Sequence, residues 1–301
     1  MQECRNIDFA ISLPRYFNNI VKTHMEQLLV PLICKVDKVI QETPDIRTYR
    51  LKFREEGLMD TFTFLPGQFV EFSLLGSGEC TFCIASSATR KGYFDCSIKK
   101  AGIVTADIHT SLEEGDEVGI RGPFGNWFPI DDLKGKNLLF VGGGIGLAPL
   151  RSLIQYCIDN RSDYKDFTIL YGARTSTDLC YKEEIKEWQD NKSLKVVLTI
   201  DKPEESWTTN VGVVPKILEE VVKPVIENTR VITCGPPIMI KYTIQSLLKL
   251  GFADKDIITT LEMKMQCGLG KCGRCNIGST YVCKDGPVFT NEQLKSLPDE
   301  F

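Results

Sequence analysis

The chain has 301 residues, 43% of them hydrophobic and 25% charged, which is room for two domains and a small module of ordinary soluble composition. A net charge of -4 excludes a broadly basic surface and argues against nucleic acid as a partner. The twelve cysteines are too dilute for a small disulfide scaffold and point to a reducing cytoplasm, and no apolar run approaches the ~20 residues of a membrane span.

Met1–Thr23 carries charges and a proline without signal-peptide order, so residues 1-27 read as an extension, either a partner-contacting segment or an upstream start ahead of Met25. From 28 to 132 the pattern is strand-like. Thr48–Phe53 and Phe69–Phe72 alternate or cluster β-formers, and Pro66-Gly67 and Gly115-Asp116 mark turns. The spacing predicts a small antiparallel β-barrel with one short helix near Thr105–Ser111. Three pieces of it stand out. The strand from Cys80 to Ser87 sets Phe82 beside small side chains, where a planar ring could lie flat, though alone it reads as a core strand. Gly102 and Thr105 stand before the helix, whose N-terminus offers N–H donors to a phosphate, as any capped helix would. Arg121–Phe128 is a rigid, aromatic-rich turn.

Residues 133-258 change rhythm. A short apolar strand runs into Gly142-Gly143-Gly144-Ile145-Gly146, followed by Ala148 and by Pro149 in the first turn of an amphipathic helix. Glycines let a dinucleotide approach the backbone while the helix N-terminus meets its phosphates; a phosphate-free turn is the plain alternative. Strands at Phe167–Tyr171, Lys195–Thr199 and Arg230–Thr233 alternate with helices at Glu183–Trp188, Pro215–Val222 and Met239–Leu250. That order predicts a parallel sheet with helices on both faces and ligands at the carboxyl ends of its strands. His24 and His109 read as surface or cap residues rather than catalysts.

Residues 259-301 hold Cys267, Cys272, Cys275 and Cys283 in a glycine-rich C-x4-C-x2-C-x7-C window. The first gaps follow the plant-type [2Fe–2S] pattern, with the last cysteine arriving sooner; a structural zinc knuckle is the alternative for four thiolates.

Taken together the motifs resemble the ferredoxin–NADP reductase superfamily: a flavin barrel, a nucleotide domain and, here, a cluster tail. The resemblance implies FAD held by Phe82, Cys83, Ile84 and Ala85, with its pyrophosphate at Gly102, Val104 and Thr105. Two positions depart from the superfamily's R-x-[YF]-[ST] strand, Cys80 replacing the arginine and Cys83 the hydroxyl residue. Lys99 or Lys100 would then have to supply the lost charge-assisted phosphate contact. The resemblance further implies NAD(P)H on Gly143, Gly144, Ile145, Gly146, Ala148 and Pro149. Cys234, Gly235, Pro236 and Met239 form the C-G-P-x-x-M turn beside the nicotinamide, Cys234 being a catalytic position. Glu262 either reaches the flavin–nicotinamide contact as a second catalytic position or is a solvated carboxylate. Asp201 would repel a 2′-phosphate and Arg174 would attract one, with the reading leaning to NADH. The tail resembles electron-transfer subunits of multi-subunit enzymes: the gamma subunit of sulfhydrogenases, the B subunit of anaerobic sulfite reductase, and the related subunit of dihydroorotate dehydrogenase. This implies catalytic and iron–sulfur partner subunits. A non-catalytic nucleotide-binding redox sensor with a zinc knuckle is the reading from a different class. A hydride brings two electrons and a [2Fe–2S] cluster takes one, so the flavin must stand between them.

Overall fold

The computed structural model describes residues 29 to 298; the predicted extension over 1-27, His24 included, lies outside them. Strands β1 (Leu32–Thr43), β2 (Ile46–Phe53), β3 (Phe69–Leu74), β4 (Gly78–Cys83), β5 (Phe94–Lys99) and β6 (Glu117–Phe124) form an antiparallel sheet in the order β4-β3-β6-β1-β2-β5. Its two edges meet where Ile84 bridges Cys96 and the Ala85 N–H donates to the Asp95 carbonyl at 2.8 Å. The sheet thereby closes into the expected barrel, which leaves no exposed edge. Tyr49, Leu51 and Phe53 of β2 and Phe94, Cys96 and Ile98 of β5 recur every second residue, so one face of each strand fills the barrel core.

One helix, α1 (Ile103–Ser111), packs on this barrel. His109 in its last turn is buried rather than superficial, because its Nε2 lies 2.9 Å from the Ile98 carbonyl and ties the helix to β5.

The second half holds β7 (Asn137–Gly143), α2 (Leu147–Asp159), β8 (Phe167–Ala173), α3 (Lys182–Asp190), β9 (Lys195–Ile200), β10 (Asn210–Val211), β11 (Thr229–Cys234), α4 (Pro237–Leu250) and β12 (Ile257–Thr260). These strands run parallel in the order β10-β9-β8-β7-β11-β12. Leu138 and Phe140 pack toward α2 and α3, and Leu139 and Val141 toward α4 and the helical segment from Val214 to Val222. Burial on both faces explains why these strands read as continuous apolar runs rather than alternating ones.

The tail adds a small hairpin, β13 (Asn276–Ile277) with β14 (Thr280–Tyr281), and then β15 (Val288–Thr290). β15 joins the parallel sheet antiparallel to β12, so the cysteine-bearing segment is stitched to the nucleotide half through a shared sheet edge. No helix among the described residues is long and apolar enough to cross a membrane.

Candidate functional site

The chain leaves β7 for β8 and β9 on one side and returns to β11 and β12 on the other, so a crevice opens at the carboxyl ends of β7 and β11. The two glycine turns predicted there touch. A Cβ on Gly146 would stand 2.4 Å from the Gly235 Cα, and one on Gly143 would stand 2.3 Å from the Met239 sulfur. Gly146 is therefore required by close approach. Gly144 is different: its φ of +53° is left-handed, and the space beyond its Cα is open. Gly146→Ala is expected to push the two turns apart and raise KM for the nicotinamide at least tenfold, measured by steady-state kinetics, with flavin content unchanged. Ala148 is buried in the core, so its contribution is packing at the helix start.

Beside these turns lies a cleft of about 930 Å³, lined among others by Ile145, Arg174, Asp201 and Pro236. Burial raises the Asp201 carboxyl against the opposing Arg174 charge, and the two groups proposed to compete over a 2′-phosphate line the same cleft. Lys99 also lines this cleft, 3.4 Å from Asp45. It therefore points to the nucleotide side of the barrel with its charge already partnered.

On the flavin strand, Phe82 packs edge-on against Phe72 at 5.8 Å. Ile84 and Ala85 are core residues, and the Ala85 carbonyl accepts from the Arg151 guanidinium at 3.0 Å. At the helix start, the Thr105 hydroxyl accepts from the Ala101 and Gly102 N–H groups at 2.9 and 2.8 Å, which shapes the turn. No atom approaches the space above Gly102, and Val104 supports the turn against Gly78. The first amides of α1 have no partner within the helix. Cys80 lies beside Glu71 and Glu79, and burial and those two carboxylates raise its thiol. Any pyrophosphate contact must come from elsewhere.

Three predicted residues converge where the two halves meet. Burial, then the Glu262 and Cys234 charges, push the Cys83 thiol up to about 12, so these groups sit within electrostatic reach of one another. Burial likewise pushes Cys234 up to about 12 despite its 3.2 Å contact with the Thr260 hydroxyl. Desolvation in the crowded mouth raises the Glu262 carboxyl, although its surface still reaches solvent. Both thiols are thus neutral groups, and Glu262, exposed at its surface, has its carboxyl raised within electrostatic reach of both.

The cysteine loop wraps through left-handed Gly268, Gly270 and Gly273. This turns amides onto sulfur: Leu269, Lys271 and Cys272 N–H groups donate to the Cys267 Sγ at 3.3 to 3.4 Å. Gly270 donates to Cys283 at 3.1 Å, and Cys283 to Cys275 at 3.4 Å. Burial opposes ionisation of Cys267, yet those three amides bring its thiol down to about 6. Burial and the Cys275 sulfur push Cys283 up to about 12. Among the described residues no group of three or more His, Cys, Asp or Glu side chains stands ready around one metal ion. Backbone amides link the four cysteines two by two, the Cys272 N–H donating to the Cys267 Sγ and the Cys283 N–H to the Cys275 Sγ. Two pairs, with amides aimed at sulfur, suit a cluster bound by two thiolates per iron better than a single tetrahedral ion.

The Arg121–Phe128 turn, read from the sequence only as rigid and aromatic-rich, holds this loop to the barrel. Buried Arg121 on β6 pairs with Glu79 and donates to the Gln266 and Cys267 carbonyls, both at 3.1 Å. Asn126 donates to the Asp285 and Val288 carbonyls at 3.0 and 2.8 Å and accepts from the Val288 N–H. A Cβ on Gly268 would collide with the Phe124 ring at 2.5 Å. The Gly-Pro-Phe-Gly-Asn turn is thus the seat of the cysteine loop. Its signal was an arginine one residue out of step with the core positions Val118 and Ile120, on the face of β6 turned away from the barrel core.

Comparison with known proteins accounts for each part. Residues 33–128 match the oxidoreductase FAD-binding domain and 140–245 the oxidoreductase NAD-binding domain. Residues 262–295 match the iron–sulfur cluster binding domain of dihydroorotate dehydrogenase B. The gamma subunit of sulfhydrogenase 1 from Pyrococcus furiosus is 39% identical over 272 residues, spanning 88% of this chain and 92% of that protein. A probable electron transfer subunit of dihydroorotate dehydrogenase B from Methanocaldococcus jannaschii is 31% identical, over 89% and 92% of the two chains. Among solved structures, a chain of an NADH-dependent reduced ferredoxin–NADP oxidoreductase studied for flavin-based electron bifurcation superposes with a TM-score of 0.70 at 25% identity. It covers 86% of this chain and 88% of its own. The chain therefore carries FAD-, NAD- and iron–sulfur-binding domains on a ferredoxin–NADP reductase-like fold.

Proposed function

The chain belongs to the family of flavin- and nicotinamide-binding iron–sulfur electron-transfer subunits, and from that premise we propose that it passes electrons between NAD(P)H and a partner subunit in the cytoplasm. The observation that carries this reading is that Cys83 of the flavin strand packs against the core that holds Cys234 of the nicotinamide turn, with the cysteine loop seated on the same barrel by Arg121. Bound FAD would exchange a hydride with the nicotinamide and single electrons with a [2Fe–2S] cluster.

Each residue has a task in this scheme. Gly144 and the start of α2 admit the nucleotide phosphates. Pro236 and Met239 line the cleft and would shape its nicotinamide end, with buried, neutral Cys234 immediately before their turn. Phe82, braced edge-on by Phe72, would pack against the flavin, and Glu262, its carboxyl raised by desolvation, would stand near the flavin–nicotinamide contact. Cys267, Cys272, Cys275 and Cys283 hold the cluster, with backbone amides offsetting thiolate charge. Sulfhydrogenase-type partners are favoured by the higher identity to gamma subunits. A dihydroorotate-oxidising partner is the second reading, supported by the cluster-domain match. Co-purification with neighbouring chains separates the two.

Cys272→Ser tests the order of the relay. It is expected to lose the cluster's absorbance and at least half of the bound iron, while anaerobic nicotinamide still bleaches the flavin bands. Loss of flavin reduction from a folded variant would refute that order, and a colourless zinc-bound wild type would support the redox-sensor reading instead.

A further inference from the structure

The stretch from Met263 to Lys284 contains Lys264, Lys271, Arg274 and Lys284 and not one Asp or Glu, in a chain whose net charge is -4. All four cations are exposed, and among the described residues no ion pair uses any of them. They are placed round the cysteine loop. Lys271 and Arg274 flank Cys272, the exposed member of the four cysteines. The stem of Lys284 lies over Gly270, 3.1 Å from where a Cβ would stand, and the Gly270 amide donates to Cys283. Trp127, 43% exposed, stands next to Asn126, which is bonded to the same module. Most exposed lysines among the described residues are likewise without an ion-pair partner, so what sets this stretch apart is four cations gathered round one exposed cysteine with no carboxylate among them. A gathered positive rim on an exposed face is the arrangement by which one protein steers and orients a partner of opposite charge.

We propose that the cluster face is a docking surface for an acidic, one-electron-accepting protein, with Lys264, Lys271, Arg274 and Lys284 as its charged rim. The inference rests on the electron-transfer reading for its purpose but on charge and placement for its recognition. In the forward direction each hydride from NAD(P)H supplies two electrons and releases one proton, so two partner molecules are each reduced by one electron. Were the cations present only to offset thiolate charge, their loss would shift the cluster's potential and leave partner affinity alone.

The test uses the cofactor-loaded protein and rubredoxin, a small acidic one-electron carrier, as probe. Redox-silent zinc rubredoxin is titrated calorimetrically at low and high salt, and reduction of the iron form by nicotinamide is followed in parallel. Binding is expected to weaken at least tenfold on raising salt to about 0.5 M, where the screening length falls to a few ångströms. Lys264→Glu with Arg274→Glu is expected to abolish binding and to favour basic cytochrome c instead. If that pair loses the cluster, Lys264→Glu alone, outside the cysteine window, is expected to weaken binding about threefold or more. Salt-independent binding, or wild-type protein that binds cytochrome c as well as rubredoxin, would overturn the docking surface. Rubredoxin that binds with the expected salt dependence yet is not reduced would uphold the surface and count against the electron-transfer reading.

Discussion

Replacing Arg121 with alanine is expected to empty the iron–sulfur site while the barrel keeps its flavin. The guanidinium is 6% exposed and does three things at once: it pairs with Glu79, donates to the Gln266 and Cys267 carbonyls, and lies 5.7 Å from the Phe124 ring. Removing it leaves the Glu79 carboxylate with only the Ser73 hydroxyl, and takes the guanidinium from two carbonyls at the barrel–loop seam. Breaking one partner of a buried ion pair costs about 3–5 kcal/mol, and the penalty falls where Cys267 must be held. Iron and acid-labile sulfide per chain should drop at least fivefold, and flavin per chain should not. Arg121→Lys keeps the charge but not the fork, so it should restore only part of the iron. Full iron content in the alanine variant would show that the loop needs no seat.

Arg151→Met is expected to loosen the flavin barrel from the nucleotide domain. Arg151 lies on α2, yet its guanidinium donates to the Ala85 carbonyl at 3.0 Å and to Asp95 at 3.2 Å, both in the barrel, and pairs with Glu184 of α3. Asp95 is fully buried and keeps only Arg50, at 2.9 Å, once Arg151 is gone. The neighbouring contacts, Gln155 to the Ser87 N–H and Ser152 to the Ser86 carbonyl, show α2 lying along the whole β4–β5 connection. A loss of about 3–5 kcal/mol is expected in denaturant unfolding, together with slower flavin reduction because the nicotinamide turn no longer meets Cys83 squarely. Unchanged stability would mean that apolar packing alone fixes the two halves.

The parts legible in the sequence are those whose chemistry is local. Cys267 to Cys283 and Gly142 to Gly146 announce themselves because ligand spacing and backbone freedom are properties of adjacent residues. The alternation of strands and helices after residue 133 is equally local. What escaped the reading depends on contacts between distant residues. Arg121 meets carbonyls about 145 positions away, and Arg151 meets Ala85 66 positions away, so neither partner is visible from its neighbourhood. β15 is only three residues long, and no pattern of its own says that it will extend the nucleotide sheet. Lys99 looked free to serve a phosphate, but Asp45, in the β1–β2 turn, stands beside it because β2 and β5 are paired. His109 carried no signal that its helix face would be the buried one.

The most direct test is an anaerobic titration of the purified, cofactor-loaded chain with NADH and with NADPH, followed by visible absorbance and electron paramagnetic resonance. The proposed relay predicts that a yellow protein bleaches and that the reduced-cluster signal grows with it, the signal alone vanishing in Cys272→Ser. A polypeptide that binds iron but retains no flavin, or a cluster signal that nicotinamide produces without any flavin present, would contradict it.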